Sequence, residues 1–242
     1  NLDYADEQDM KLKTLLSVKI QPIITALFAN SPLSLGKPNS FLSKRRYIWM
    51  NTDPDRCGVL KVAFDDDFGF GKYVDYALSV PMYFVKRDNK YIDCSGSSFD
   101  DFMRGKLKEI PGIIPTFSDW EDHLSTIFTE VRLKQFIEVR GADAGNWRRT
   151  CALPAFWVGI LYDNKVLKKA LALCENWNYE EIIKLSADVA KDGLKAKIKG
   201  NTVNEIALEM INLAREGLNA RNIKDSTGEN ETHFLKVLED II

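Results

Sequence analysis

From Thr150 to Ile242 the apolar residues recur at helical spacing almost without a break, whereas residues 1–149 hold only a few short strand-like runs. No other feature constrains the fold as much. Three or four short strands make a poor independent sheet. The expectation is therefore an α+β chain in which an antiparallel sheet is completed by polypeptide preceding Asn1, with a largely helical C-terminal half. The opening NLDYADEQDM lacks an initiator Met and runs straight into structure, as a segment cut from a longer protein would. Residues 1–149 read as the sheet part and 150–242 as a helical region packed on it.

The spacing of Met10, Leu12, Leu15, Leu16, Ile20, Ile23, Ile24 and Leu27 predicts a helix over 6–28, kinked at Pro22. Further helices are expected at 150–162, 164–175, 178–191, 201–220 (interrupted at Gly217) and 231–241, with STGEN (226–230) as a flexible spacer. FDDFMRGKL (99–107) reads as one short helix. A helix from Ser118 is expected to carry a Ser118–Glu121 capping box. ANSPLSLGKPNSF (29–41) has turn chemistry, and RRYIWM (45–50) reads as a short strand. PMYFVK and KYIDC flank Arg87-Asp88-Asn89 as a hairpin.

Composition narrows the class. A net charge of −2 gives no reason to expect nucleic acid, and the longest apolar run, Cys151 to Tyr162, is 12 residues, too short to cross a bilayer. Cys57, Cys94, Cys151 and Cys174 share no CxxC spacing and have no histidine cluster, so a zinc site is not expected. Isolated thiols and no signal peptide suggest a cytoplasmic protein; oligomeric state, monomer or homodimer, is left open.

The most informative stretch is RLKQFIEVRGAD (132–143). In steps of two, Val131, Leu133, Ile137 and Val139 point one way; Glu130, Arg132, Lys134, Glu138 and Arg140 point the other, with Gln135 and Phe136 breaking the pattern. One amphipathic strand is expected. Glu138 and Arg140 would then stand on one face, roughly 6–7 Å apart. Such a polar face either meets water as a surface ion pair or lines a site.

The blocks IQPIITALFANSP (20–32), GKPNSFLS (36–43), IWMNTDPDR (48–56), FGFGKYVDYALSVPMYF (68–84), KYIDCSG (90–96), DWEDHLSTIFTEVRLKQFIEVRGAD (119–143) and WRRTCALPAFWVGILYD (147–163) resemble, in order and spacing, the glutamate–cysteine ligases of the plant and α-proteobacterial type. These belong to the glutamine-synthetase-like carboxylate–amine ligases. The helical tail matches more loosely. The resemblance implies ATP-dependent joining of the glutamate γ-carboxylate to the cysteine amine through an acyl-phosphate, the first step of glutathione biosynthesis, with Mg2+. It leaves two alternatives: a different amine acceptor, or a non-catalytic fragment.

What the resemblance implies for individual residues follows from a Glu-x-Arg pair on a cavity-facing strand. Glu138 would ligate metal and Arg140 would touch the transferred phosphoryl group. Arg45 would clamp a substrate carboxylate or phosphate, with Arg46 facing away on the same strand. Tyr76, Met82, Tyr83 and Trp147 would shape a substrate pocket, unless they are core. One of Arg148 and Arg149 would reach nucleotide phosphate, or else both cap and pack the helix that follows. His123 is either a proton shuttle or structural, and Lys37 lies in a loop that could approach substrate. Two departures stand out. The plant enzymes pair a cysteine matching Cys94 with a position that is Glu109 here. An acidic Glu-x-Glu strand supplying most metal ligands has no counterpart in these residues, so this polypeptide alone is not expected to turn over normally.

Overall fold

The computed structural model describes residues 1–242. Helix α1 (Glu7–Phe28) is its axis. Asp6 caps it, its side chain accepting from the Asp9 amide, and Glu7 and Asp9 place negative charge in the first turn, where the helix dipole favours it. The helix runs on through Pro22 and is buried on nearly every side from Leu16 to Phe28, as a central core helix must be. Even Lys19 is buried. Its ammonium donates to the Cys174 and Glu175 carbonyls at 2.8 and 3.0 Å.

A two-residue hairpin follows, β1 (Leu33–Ser34) and β2 (Lys37–Pro38), inside the expected turn region, with Lys37 exposed. The segment predicted as a strand at 45–50 is instead helix α2 (Lys44–Met50). Ser43 Oγ accepts from the Arg46 amide and starts the helix, and a seven-residue helix is too short to display a period. Next come β3 (Cys57–Gly58), α3 (Phe70–Ser79), the expected hairpin β4 (Phe84–Arg87) and β5 (Lys90–Asp93), and α4 (Phe99–Met103), shorter than read. Helix α5 (Phe117–Ser125) has its capping box on Thr116 and Asp119, not Ser118 and Glu121. Both pairs have the right spacing, and the Arg87 guanidinium, bound to both Asp119 oxygens, favours the earlier one.

The largest correction concerns 130–140. Strand β6 (Phe128–Thr129) pairs in parallel with β3. The supposed single strand is then a hairpin, β7 (Val131–Leu133) against β8 (Ile137–Val139), turning at the two residues that broke the alternation. Leu2 makes a single antiparallel bridge to Ile137, with N···O distances of 2.9 and 2.7 Å. All sheets are two-stranded; no larger sheet forms.

The C-terminal half is helical as expected: α6 (Trp147–Leu161), α7 (Asn164–Leu173), α8 (Tyr179–Asp192), the small pair β9 (Lys197–Ile198) and β10 (Asn201–Thr202), α9 (Val203–Arg221) and α10 (Lys236–Glu239). Residues 231–235 form a tight 3-10 turn rather than the start of a longer helix. Gly217 does not interrupt α9. It faces Gly159 of α6, where an added Cβ would strike the Gly159 carbonyl oxygen. The main hydrophobic cluster runs from Leu2 to Leu238 and joins α1 to the C-terminal helices; a smaller one gathers Met82, Val85, Cys94, Phe99, Phe102 and Leu107. No helix is long and apolar enough to cross a membrane.

Candidate active site

The β7–β8 register puts Arg132 directly across from Glu138. Arg132 Nε and Nη2 each lie 2.6 Å from Glu138 Oε2, and Arg140 Nη1 lies 3.3 Å from the same oxygen. Within β8, alternation holds: Glu138 and Arg140 share a face and each keeps 23% of its side-chain surface. Partial burial opposes ionisation of Glu138. The Arg132 hydrogen bond and charge outweigh it, helped by Arg140, and hold the carboxyl below its ordinary range.

Helix α2 packs beside this hairpin because Asp143 ties the segments together. Its carboxylate accepts from Ser31 Oγ at 2.6 Å, Ser43 Oγ at 2.7 Å and the Asn30 amide at 2.9 Å. Helical geometry, unlike a strand, puts consecutive residues on neighbouring flanks, so Arg45 and Arg46 both reach the cleft. Arg45 donates to the Arg140 carbonyl at 2.6 Å and the Gly141 carbonyl at 3.3 Å. Arg46, 2% exposed, forms an ion pair with buried Glu130. Burial pushes the Glu130 carboxyl up, against the pull of Arg46 and Arg45. Burial likewise lowers Arg45, against Asp143 and Glu130. The cleft is lined by Arg45, Arg46, Trp49, Gly58, Phe128, Glu130 and Arg140. Gly58 sits at φ +100°, where a side chain would strain the backbone. Three guanidinium groups against the two carboxylates Glu130 and Glu138 leave the cleft with positive charge in excess, which favours an anionic ligand.

The structure thus brings Arg45, Glu138 and Arg140 together. The other candidates lie elsewhere. Tyr83 donates to Asp53 at 2.5 Å, and Arg56 stacks 3.4 Å above its ring. Met82 is 1% exposed, inside the smaller cluster. Tyr76 is half-buried against the main core, and burial pushes its phenol up. Trp147, 79% exposed, and Arg148 line a separate groove with Cys151, His233 and Phe234. Arg149 is half-buried, its stem against Gly145. His123 is buried, its Nε2 2.8 Å from the Ala77 carbonyl, and burial lowers its basicity; its contacts are structural.

Sequence reading missed Arg132, the Arg46–Glu130 pair, Trp49, Phe128 and Arg56. Arg132 was legible in principle: once Gln135 and Phe136 are taken as a turn, register pairs it with Glu138. Arg46 and Glu130 lie too far apart in sequence for any local pattern to join them.

Comparison with known proteins places the chain in a family. The family model described as glutamate-cysteine ligase family 2 matches residues 1–242. Among curated relatives, the chloroplastic glutamate–cysteine ligase of Solanum lycopersicum is 53% identical over all of this chain and 45% of its own length. Those of Nicotiana tabacum and Arabidopsis thaliana are 52% and 50% identical, with the same coverage. The chain spans about half the length of the curated relatives it matches. The cytoplasmic expectation is corrected by these names, since the relatives are chloroplastic. All four cysteines are free, but free thiols do not tell one reducing compartment from another. With the match running from the first residue to the last, the chain belongs to glutamate–cysteine ligase family 2.

Proposed function

We propose that this chain provides the phosphoryl-handling side of an ATP-dependent ligase that joins the γ-carboxylate of glutamate to the amine of cysteine, the first step of glutathione biosynthesis. The observation that carries the reading is the convergence of Arg45, Arg46 and Arg140 on one cleft beside the ionised Glu138. In the first half-reaction a γ-carboxylate oxygen attacks the terminal phosphorus of ATP and ADP leaves. In the second, the cysteine amine attacks the acyl carbon, the C–N bond forms, the C–O bond to phosphate breaks and the nitrogen loses a proton. Negative charge on phosphoryl oxygens recurs in both, so donors held in place beforehand are the main requirement. A guanidinium has five N–H donors. Arg140 spends one on Glu138 and Arg45 two on carbonyls, which leaves both with donors for a phosphoryl group or a substrate carboxylate.

Magnesium takes oxygen ligands, and Glu138 Oε1, which accepts from no protein group, fits as one of them. No group of three His, Cys, Asp or Glu forms a cage in these residues, so a cation at Glu138 would be held by this carboxylate together with substrate phosphate oxygens and water. Bound there, the cation would neutralise phosphoryl charge. In this reading residues 1–149 belong to a glutamine-synthetase-like antiparallel sheet domain, supported by the Leu2 bridge on β8, and 150–242 form the helical region packed on it. Arg148 and Arg149 are the candidates for nucleotide phosphate. Tyr76, Met82, Tyr83 and Trp147 are those for the amino-acid substrates, although Met82 reaches a ligand only if its cluster opens.

The test is ADP release by the protein carrying this chain, supplied with ATP, Mg2+, glutamate and a panel of amines. Release is expected to need both glutamate and cysteine, and Arg140→Met should lower kcat by about 10²–10³-fold, as loss of a charge-stabilising donor does. Equal release with non-thiol amines, or full turnover by Arg140→Met, would overturn the proposal.

A further inference from the structure

Three guanidinium nitrogens crowd one oxygen of Glu138, and the other oxygen receives nothing. An ordinary arginine–carboxylate fork binds both oxygens. The asymmetry has a visible cause on the far side of Arg132. Its Nη1 donates to the Ser125 and Ile127 carbonyls, each at 2.9 Å, just where α5 ends. Arg132 is 6% exposed, so its guanidinium is a fixed bracket between that carbonyl pair and the carboxylate. Nε, Nη1 and Nη2 are all engaged, which leaves Arg132 no free fork with which to grip a phosphoryl group itself.

We infer that Arg132 is a positioning residue: it holds Glu138 by Oε2 and so presents Oε1 as the carboxylate oxygen available to a divalent cation. The inference rests on the reading of Glu138 as a metal ligand proposed above. The charged and titratable groups facing Glu138 are Arg132 from β7, Arg140 from the end of β8 and the Tyr73 phenol from α3. Tyr73 is fixed by the hairpin, its oxygen accepting from the Leu133 amide at 3.2 Å, and burial pushes it up to about 12, so it stays neutral.

Charge and geometry make opposite predictions here. Arg132→Gln removes a positive charge beside the carboxylate, and by charge alone should tighten cation binding. Arg132→Lys keeps the charge, but a single ammonium cannot span two carbonyls and a carboxylate in fixed planar geometry. If orientation is what Arg132 supplies, both variants bind more weakly. Mn2+ is the probe, added to protein carrying ¹³C-carboxyl glutamate, with the Glu138 signal assigned by its loss in Glu138→Gln. Paramagnetic broadening of that signal in the wild type is expected at lower Mn2+ than for other glutamates. Both Arg132 variants should need about 10–100-fold more Mn2+, the usual effect of losing a partner that orients a ligand. Glutamates remote from the hairpin should keep their shifts in both variants and report an intact fold. Wild-type-like broadening in Arg132→Lys, or tighter binding in Arg132→Gln, overturns the Arg132 assignment alone. A wild-type Glu138 with no preference for Mn2+ overturns the ligand reading and the inference with it.

Discussion

The crossing of α6 with α9 and the arginine-lined cleft are held together by opposite means. At the crossing the two backbones touch: an added Cβ on Gly159 would meet Ala214 and one on Gly217 would meet Gly159, with Phe156, Ile160, Met210 and Ala214 fully buried around them. None of these residues is charged. The cleft and the hairpin beside it are built on ion pairs of graded burial: Arg46–Glu130 the deepest, Arg132–Glu138 intermediate, Arg140–Glu138 the most exposed. Apolar contacts are non-directional and tolerate exchange of similar side chains. A buried charge is costly once its partner is removed alone. The contrast suggests a division in which the helical half supplies stability and the cleft supplies chemistry at some cost to stability.

The sharpest way to break that contrast is at the deep pair. Arg46→Met leaves Glu130 buried without its counter-ion and should destabilise by about 3–5 kcal/mol. The double variant with Glu130→Leu removes both charges and should recover most of the loss. Urea unfolding of the two side by side decides it. If Arg46→Met costs less than its double variant, the cleft does not depend on paired buried charge.

The apolar region has its own test, of intermediate size. Intrinsic helix propensity favours Ala over Gly by up to about 1 kcal/mol in a helix interior. At Gly217 the backbone approach should reverse that sign, so Gly217→Ala is expected to destabilise by about 1–3 kcal/mol through overpacking. A stabilised variant in the same urea assay would show that α6 and α9 stand further apart.

These two sites also show what was readable in the sequence. The helices of the C-terminal half followed from periodicity, which many residues report redundantly; α6, α7, α8 and α9 fell where it placed them. Gly217 misled because a glycine is locally a helix-breaker, and only the partner helix explains it. Helix α2 was missed because its stability comes from Ser43 and from Asp143, which lies a hundred residues away. In the site, Glu138 and Arg140 were legible through alternation that holds within β8, while Lys134-Gln135-Phe136 hid the turn by lacking Gly, Pro, Asn or Asp. Tyr76, Met82 and Tyr83 share an aromatic-rich stretch that serves packing as readily as binding.

A smaller effect tests the start of α5, the helix whose end holds Arg132. Thr116→Ala removes the cap of α5 and should cost about 1 kcal/mol. Ser118→Ala, at the position the spacing also allowed, should stay within about 0.5 kcal/mol of wild type. Equal losses would return the cap to Ser118.

The smallest expected effect separates charge from packing directly. The Glu138 carboxyl is held below its ordinary value of 4.5 when folded, burial being outweighed by Arg132 and Arg140. A depressed carboxylate contributes stability that is fully present above the unfolded value and lost as pH falls through the folded one. The contribution of Glu138 is therefore complete at neutral pH and fades below 4.5. Glu130, raised by burial, works the other way, so the total slope mixes the two. Subtracting the unfolding free energy of Glu138→Gln from that of wild type at each pH isolates Glu138. That difference should be flat from neutral pH to about 5 and shrink steadily toward pH 3. The same subtraction for Gly217→Ala should show no pH dependence, since Phe156, Gly159, Ile160, Met210 and Ala214, gathered at the contact, carry no titratable side chain. A Glu138 difference that stays constant down to pH 3 would mean its side chain contributes shape rather than charge, and the cleft would then resemble the helical half after all.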